Sequence, residues 1–332
     1  MKISIITPVY NRSDCIIRCM ESVTRAYEKW KENLFSTAPT HLFLEQIIVD
    51  DGSTDGTQTL VKKYAEEHSH VHFIEFSHNK GTNAARNAAI QSANGEWCII
   101  LDSDDYFTEN ALGVITRTIE SHPPYIHYMF AADDMLSYYE HNPIIEGVPE
   151  KILLYPDFLN GHIGGDFVHV CRTETLRLYP FDENIRIYEG IFFLLFYKKA
   201  QQMLFTNEVV TIRERNRNDS VTRDTFRTNR IAIKRSSISS ELYLKYFETE
   251  MEQLGMQRRL REIRFDLLDN YVLLGEYGKA STLMHKIGDA HGMKNKFLHV
   301  IHHFRLGWLY RFLLKIYLFL KYQVLKKNLE TK

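Results

Sequence analysis

The first 105 residues alternate between short apolar runs and longer segments whose apolar positions recur at helical spacing. The predicted strands are residues 3–7, 44–49, 71–76 and 97–101, and the predicted helices between them are residues 14–32, 57–68 and 83–93. Each strand is apolar on both faces, as expected of strands inside a parallel sheet. The pattern predicts an α/β fold with a mainly parallel sheet, flanking helices, and ligands bound beyond the carboxyl ends of the strands.

The pattern changes from about residue 236, where consecutive helical segments replace the alternation of strands and helices. The predicted helices are residues 241–254, 258–274 and 277–287, followed by one basic amphipathic helix from residue 293. We therefore predict an α/β domain with halves 1–106 and 107–235, a helical subdomain over 236–292, and a C-terminal helix over 293–332.

The C-terminal segment is basic, although the whole chain is nearly neutral. Residues 294–332 carry nine Lys or Arg and one acidic residue, whereas the rest carries 32 basic and 41 acidic residues. Arg311, Lys315 and Lys321 interrupt the longest apolar stretch, and each would cost about 2.5–3.5 kcal/mol at the centre of a bilayer. Interfacial aromatics with spaced cations instead favour a helix that lies on a membrane surface. An interface in a homo-oligomer is the competing interpretation.

The location of the protein is predicted from its first residues and its cysteines. No cleavable signal peptide follows Met1. Cys15, Cys19, Cys98 and Cys171 form no Cys-x-x-Cys pair, and buried thiols suit a reducing compartment. We predict a cytoplasmic protein, peripherally associated with the inner face of the cell membrane, and expect no nucleic-acid partner.

Two carboxylates stand directly after the fourth predicted strand, in the tripeptide Asp102-Ser103-Asp104. Two carboxylates one residue apart on an irregular turn can both face a hard divalent cation. Mg²⁺ and Mn²⁺ are the expected ions, because both prefer oxygen ligands. The alternative interpretation is that the segment starts the following helix, with Asp105 or Thr108 as its cap.

Other polar side chains flank the same predicted strand ends. Tyr10 offers a ring on which a base can stack, Asp51 a carboxylate for a base N–H, and Arg86 a guanidinium for polar groups of a nucleotide. Because the carboxyl ends of parallel strands meet at one edge of a sheet, we expect these side chains to converge.

Taken in order, the segments TPVYNR, VDDGSTD, NKG with ARN, and LDSDD resemble glycosyltransferase family 2 of the GT-A fold. The resemblance implies a Rossmann-like GT-A domain over residues 1–235, with its nucleotide-binding half at 1–106 and its acceptor half at 107–235. It implies an inverting enzyme that uses a nucleotide sugar, and uridine is the expected base by family frequency. The implied nucleotide-pocket residues are Thr7, Pro8, Tyr10, Asp51 and Arg86, with Asp102 on the ribose side and Asp104 bound to Mn²⁺ or Mg²⁺ at the diphosphate.

The acceptor half departs from the family pattern. In the family, a Glu-Asp pair opens a helix below the acceptor and its Asp usually serves as the general base, whereas this chain has Glu189-Gly190. An inverting displacement needs one carboxylate within hydrogen-bond reach of the acceptor hydroxyl. Glu189 is the expected base and Asp166 the second candidate. Alternatively, Glu189 only caps the helix or orients another residue.

In the acceptor half, Arg213, Arg215 and Arg217 alternate with Glu214 and Asn216. The family often places a basic loop here, closing over the diphosphate, and the resemblance implies that Arg215 or Arg217 stabilises the leaving group. The alternative interpretation is a solvated face.

The sequence therefore predicts an inverting glycosyltransferase that acts on a glycan or lipid-linked acceptor in the assembly of a cell-surface polysaccharide or glycolipid. A catalytically silent nucleotide-sugar-binding or scaffold protein is the alternative that the Glu189-Gly190 departure leaves open. A processive polysaccharide synthase fits poorly without spanning helices and a Gln-x-x-Arg-Trp segment. A nucleotidyltransferase would need a glycine-rich, basic phosphate loop, which residues 7–11 do not provide.

Overall fold

A computed structural model describes residues 1–34, 42–122, 125–184, 189–214, 229–287 and 293–330. The chain forms two compact units, Met1–Arg217 and Asn218–Lys332, where the sequence pattern placed boundaries after residues 235 and 292. The first described helix of the second unit starts at Arg230, where the Asn229 side chain accepts a hydrogen bond from the Ile231 N–H.

The first unit is an α/β domain. Its strands are β1 Lys2–Val9, β2 Phe43–Asp50, β3 Val71–Glu75, β4 Trp97–Ile100, β5 Tyr106–Phe107, β6 His127–Ala132, β7 Glu150–Leu154, β8 Val168–Arg172 and β9 Gln202–Ile212. Its helices are α1 Ile16–Leu34, α2 Thr57–Glu67, α3 Thr82–Ser92, α4 Ala111–Ser121, α5 Leu136–Glu140, α6 Tyr155–Leu159, α7 Thr173–Leu178 and α8 Gly190–Ala200.

The strands form one sheet in the order β3-β2-β1-β4-β8-β6-β9-β5, with β7 paired to β9. The four strands of the first half are all parallel, as predicted. The second half is mixed, because β8 runs antiparallel to β4 and β6, while β6 and β9 are parallel. The register of β6 on β9 shifts twice, between Met129 and Ala132. The predicted α/β fold class is confirmed, with the parallel arrangement concentrated in the first half.

The parallel strands β1, β2 and β4 are buried on both faces, which explains their continuous apolar runs, whereas the edge strand β3 is buried only at Val71. Ile3, Ile5 and Ile48 belong to one core cluster with Ile16 and Met20 of α1. Val9 lies opposite Asp50, and Ile6 lies opposite Ile100, so β1, β2 and β4 end at the same edge. The polar segments that follow these strands are therefore placed together.

The second unit is helical, with α9 Arg230–Gln253, α10 Gln257–Leu274, α11 Tyr277–Ile287, α12 Met293–His303 and α13 Gly307–Glu330. Its core includes Leu268 and Val272 of α10, Leu283 of α11, and Leu298 and Ile301 of α12. Among the described residues, no helix is long and apolar enough to cross a membrane.

The single helix predicted from residue 293 onward is two helices in the structure. The chain turns between them at Arg305, whose φ is +53°, and the Leu306 N–H donates to the Ile301 carbonyl at 2.9 Å. A Cβ at Gly307 would lie 2.0 Å from the Val272 carbonyl oxygen. The break therefore follows from a close approach to α10, which helical periodicity along the chain does not reveal.

Candidate active site

Arg86 of α3 joins two of the predicted site residues. Its Nη2 donates to Asp102 Oδ1 at 3.0 Å and its Nη1 to Glu189 Oε1 at 3.1 Å. The arginine side chain is only 12% exposed. Burial opposes its charged form, but Asp102 and Glu189 more than offset this effect and raise the pKa of Arg86. One buried guanidinium thus links the end of β4 to the start of α8.

The asparagines that flank Arg86 on α3 hold the acceptor segment by its backbone. Asn83 Nδ2 donates to the Asp182 carbonyl at 2.9 Å. The Asn87 side chain donates to the Phe181 carbonyl and accepts from the Phe181 N–H, both at 2.9 Å. This part of the motif therefore has a structural role that the sequence analysis missed, and it places the chain leading toward Glu189.

Asp51 lies directly after β2 and is buried. Its two carboxylate oxygens accept the backbone N–H groups of Lys80 at 2.6 Å and Gly81 at 2.9 Å. Gly81 takes a φ of +100°, which favours glycine there. Asp51 therefore fixes the backbone of the loop that leads into α3.

The segment after β1 divides into buried and exposed side chains. Thr7 is fully buried and its hydroxyl accepts from Gln46 Nε2 at 3.1 Å, and Pro8 is buried next to it. Tyr10 is 41% exposed. Thr7 and Pro8 thus support the strand end, while the Tyr10 ring is available at the edge of the sheet.

Asp104 lies near an arginine, Arg12, that was not among the predicted site residues. Arg12 Nε lies 3.9 Å from Asp104 Oδ2, and the arginine is only 16% exposed. Arg12 closes the TPVYNR segment, so the same motif supplies both Tyr10 and this cation. Because Arg12 belongs to a motif, it could have been predicted as a site residue. Its contact with Asp104 could not, because the two residues are far apart in the sequence.

Asp105 and Arg213 form a second pair that was missed. Arg213 Nε lies 3.7 Å from Asp105 Oδ2. Burial, together with the negative charges of Asp102 and Asp104, raises the pKa of Asp105 to about 8, although Arg213 opposes the shift. Burial thus disfavours the ionised form of Asp105, and the two neighbouring carboxylates add to this effect.

Arg213 also reaches the second candidate base. Its Nη1 lies 3.4 Å from Asp166 Oδ2 and 3.6 Å from Asp134 Oδ1. The Asp166 side chain is 80% exposed. Of the alternating arginines, Arg213 is thus the one placed among carboxylates, whereas Arg215 and Arg217 lie outside the described residues.

The donor set suits a divalent cation that is bound largely by its substrate. In the described part of the chain, no group of three or more His, Cys, Asp or Glu side chains is arranged to hold a metal ion. Mg²⁺ is typically bound by one or two carboxylates, with water and phosphate oxygens completing its shell. The Asp104 side chain is 28% exposed, so its carboxylate is accessible to such a cation.

Comparison with known proteins finds chains of similar sequence and structures of similar fold. A poly(ribitol-phosphate) beta-glucosyltransferase of Bacillus spizizenii is 39% identical over 113 residues, which are 34% of this chain and only 16% of that protein. The S. aureus TarS 1-349 structure in complex with UDP-GlcNAc has a TM-score of 0.54 at 17% identity, covering 92% of this chain and 90% of that one. Mannosyltransferase PcManGT from Pyrobaculum calidifontis, in complex with GDP-Man and Mn²⁺, has a TM-score of 0.50 at 16% identity, covering 99% and 88%.

The likeness to these two solved structures confirms the GT-A fold. The family model "Glycosyl transferase family 2" matches residues 4–180, more than half of the chain, and this range includes Arg86 and the turn at Asp102. This chain belongs to glycosyltransferase family 2.

Proposed function

We propose that this chain is an inverting, metal-dependent glycosyltransferase that moves a sugar from a nucleotide sugar to a hydroxyl of a glycan or lipid-linked acceptor. One observation carries the proposal: Arg86 contacts both Asp102, on the donor side, and Glu189, on the acceptor side. In this proposal, the Arg86 guanidinium holds the Glu189 carboxylate, at the acceptor, close to the Asp102 turn, at the donor diphosphate. This is the proximity that a single displacement requires.

The proposed donor is a UDP-sugar. Its support comes from the TarS neighbour, which was solved with UDP-GlcNAc, and from the family resemblance. The PcManGT neighbour holds GDP-Man, so the choice of base depends on side chains around the pocket. We assign Tyr10 to stacking on the base and Asp51 to shaping the pocket floor.

In the proposed mechanism, Asp104 would hold Mn²⁺ or Mg²⁺, and the ion would supply positive charge to the departing nucleoside diphosphate. Asp102, fixed by Arg86, lies on the ribose side. Arg12, near Asp104, supplies a further positive charge to the diphosphate side of the site. Preorganised cations at the leaving group stabilise the transition state because charge develops there during bond cleavage.

Glu189 is the proposed general base. The ion pair with Arg86 engages its Oε1 and fixes its position, and we assign the other oxygen, Oε2, to the acceptor hydroxyl. Asp166 remains the second candidate, because it lies beside Arg213 and therefore near the same turn.

The proposed setting is the assembly of a cell-surface polysaccharide or glycolipid, at the inner face of the cell membrane. The name of the Bacillus spizizenii relative, a poly(ribitol-phosphate) glucosyltransferase, supports a polymeric acceptor. On α13, Trp308, Phe312 and Phe319 are each more than half exposed, which fits a helix that meets a membrane surface.

The test is calorimetric titration of the purified protein with a panel of nucleoside diphosphates and their sugars, with and without Mn²⁺. We expect metal-dependent binding of UDP and tighter binding of one UDP-sugar, followed by turnover once an acceptor is supplied. Metal-dependent binding without any sugar transfer to a panel of acceptors would favour the scaffold protein. Absence of nucleotide binding under every condition would overturn the proposal.

A further inference from the structure

One face of α1 holds the Asp102–Asp105 turn through its backbone. Cys15, just before the helix, donates its thiol to the Ser103 carbonyl, and Cys19 donates to the Asp102 carbonyl, each at 3.7 Å. Ser22 Oγ accepts the Phe107 N–H at 3.0 Å. These residues recur at spacings of three and four, so they share a helix face. The turn is thus bound by its main chain, which leaves its carboxylates to other partners.

Arg18 lies between Cys15 and Cys19 in the sequence and makes three contacts. Its Nη2 donates to the Asp104 carbonyl at 3.4 Å and to Glu214 Oε2 at 2.5 Å. Its guanidinium carbon lies 4.5 Å from the centre of the Tyr106 ring. A planar guanidinium that stacks on a ring while it donates hydrogen bonds has little freedom to rotate.

The exposure of the Arg18–Glu214 pair indicates that its main role is not to stabilise the fold. The side chains of Arg18 and Glu214 are 41% and 37% exposed, and exposed ion pairs add little to folding stability. One of the three contacts nevertheless reaches the backbone carbonyl of Asp104, the residue proposed to bind the metal, and the other two hold the guanidinium beside it. Side chains that orient a ligand from outside the metal's own shell typically change metal affinity about 10–100-fold when they are altered.

We propose that Arg18 is a positioning residue for the transfer reaction: it fixes the Asp104 backbone, and through it the direction of the Asp104 carboxylate, while Glu214 and Tyr106 hold the guanidinium in place. The inference rests on the proposed metal-dependent function. Arg18 reaches the donor site only through Asp104 and is not itself assigned to the substrate.

The same helix offers a matched control. Arg25 pairs with Glu21 at 3.2 Å, one turn away on α1, and its side chain is 51% exposed. Replacing it removes the same charge from the same helix, because both residues are exposed arginines with one carboxylate partner. The two substitutions differ in whether the aspartate turn loses a contact.

The experiment measures Mn²⁺ binding in the presence of UDP, by the electron paramagnetic resonance signal of free Mn²⁺. We expect Arg18→Gln to weaken Mn²⁺ binding about tenfold, and Arg18→Lys to weaken it less, because an ammonium can still pair with Glu214. Glu214→Gln should act in the same direction. The double variant should be no weaker than Arg18→Gln, since Glu214 acts through Arg18.

A second readout separates positioning from chemistry. In a transfer assay, the Mn²⁺ concentration for half-maximal rate should rise in Arg18→Gln, while kcat at saturating Mn²⁺ and the thermal midpoint stay near those of the wild type and of Arg25→Gln. Equal Mn²⁺ affinity in wild type and Arg18→Gln would overturn this inference alone. A wild-type chain that binds no nucleotide with any metal would overturn the proposed function, and the inference with it.

Discussion

At the scale of single residues, the site is organised by arginines that each contact more than one carboxylate. Arg86 contacts Asp102 and Glu189, and Arg213 lies near Asp105 and Asp166. Removing one carboxylate from such a group leaves its guanidinium with fewer partners. Substitutions that keep the size of a side chain are therefore more informative than truncations, except where the residue is assigned to the metal.

Asp104→Ala is expected to abolish turnover and to leave the fold intact. Its side chain is 28% exposed and is not part of the apolar core, so the thermal midpoint should change little. Transfer assays over a range of Mn²⁺ concentrations test the assignment. Near-normal activity at saturating Mn²⁺ would remove Asp104 from the metal site.

Glu189→Gln is expected to lower kcat by about 10²–10⁴, the range typical of a general base. Glutamine keeps the length of the side chain and an oxygen that can accept from Arg86 Nη1, so the structural contact is largely retained. Asp166→Asn is the comparison. If Asp166→Asn lowers kcat and Glu189→Gln does not, the base is misassigned.

Gly190→Asp restores the Glu-Asp pair of the family and is expected to fold. A Cβ at Gly190 would meet no described atom within 4 Å, and the residue opens α8. A carboxylate in the first turn of a helix contributes about 0.3–1 kcal/mol of stability. Because Glu189 is the proposed base, kcat should stay within a few-fold of wild type, and a rise of orders of magnitude would show that the native chain lacks a competent base.

At the scale of secondary-structure elements, apolar runs located β1 to β4 correctly. β1, β2 and β4 are buried on both faces, and the edge strand β3 still has the apolar residues Val71, Phe73 and Ile74. The motif residues could be assigned to one sheet edge for the same reason. The contact of Arg18 with Glu214 could not be predicted, since 196 positions separate the two residues. Likewise, the break between α12 and α13 depends on Gly307 meeting Val272, a tertiary contact that leaves no periodic signal.

A histidine pair on β6 and β8, with His127 buried and His169 half-buried, makes the first unit sensitive to acid. His127 Nε2 and His169 Nδ1 lie 3.0 Å apart. Burial lowers the pKa of His127 well below its usual value, and burial with the charge of Arg213 lowers that of His169 to about 3. Both are neutral in the native state, whereas the unfolded chain takes up protons below about pH 6.5. Their contribution to stability is thus complete above about pH 6.5 and is lost as the pH falls toward 3.

Urea unfolding at pH 7.5 and pH 5.0, followed by tryptophan fluorescence, measures this effect. Each such histidine is expected to reduce stability by up to about 1.4 kcal/mol per pH unit below its unfolded pKa. His169→Gln should flatten the pH dependence, while His78→Gln, at an exposed position of the same unit, should not. Parallel pH dependence in all three proteins would contradict the assignment.

At the scale of the whole molecule, strand pairing and side-chain contacts both join the halves of the sheet. The β4–β8 ladder has three residue pairs, from Trp97–Arg172 to Ile99–Val170. Side chains of α3 contact the chain before α8, and Arg86 of the same helix contacts Glu189. Because Arg86 contacts residues from both halves, its substitution should affect both donor and acceptor parameters.

The exposed aromatic face of α13 gives the whole chain an expected membrane affinity. Replacing Trp308, Phe312 and Phe319 with Ser should weaken co-sedimentation with anionic liposomes at least tenfold, since burying a large apolar side chain contributes about 1.5–3 kcal/mol. Leu178→Ser, at an exposed position in the first unit, is the control. Deletion from residue 294 is less suitable, because it would remove Leu298 and Ile301 from the core.

Unchanged co-sedimentation of the triple variant would reject the membrane-surface helix. A lower molecular mass in solution for that variant, with liposome binding unaffected, would instead assign the α13 face to contacts between copies of the chain.

The strand order also limits how the chain can be lengthened. Ile100 ends β4 and Tyr106 begins β5, yet three strands lie between them in the sheet. Four strand spacings span about 19 Å, and six extended residues reach only about 20–22 Å. The connection is not extended, since the Asp105 N–H donates to the Asp102 carbonyl at 3.0 Å.

The sheet must therefore curl, and the register shifts of β6 on β9 are where such bending is expected. The short connection through the aspartate turn thus keeps the end of β9 close to β4. An inserted residue would lengthen this connection and let Arg213 move away from Asp105, so the length of the turn is constrained.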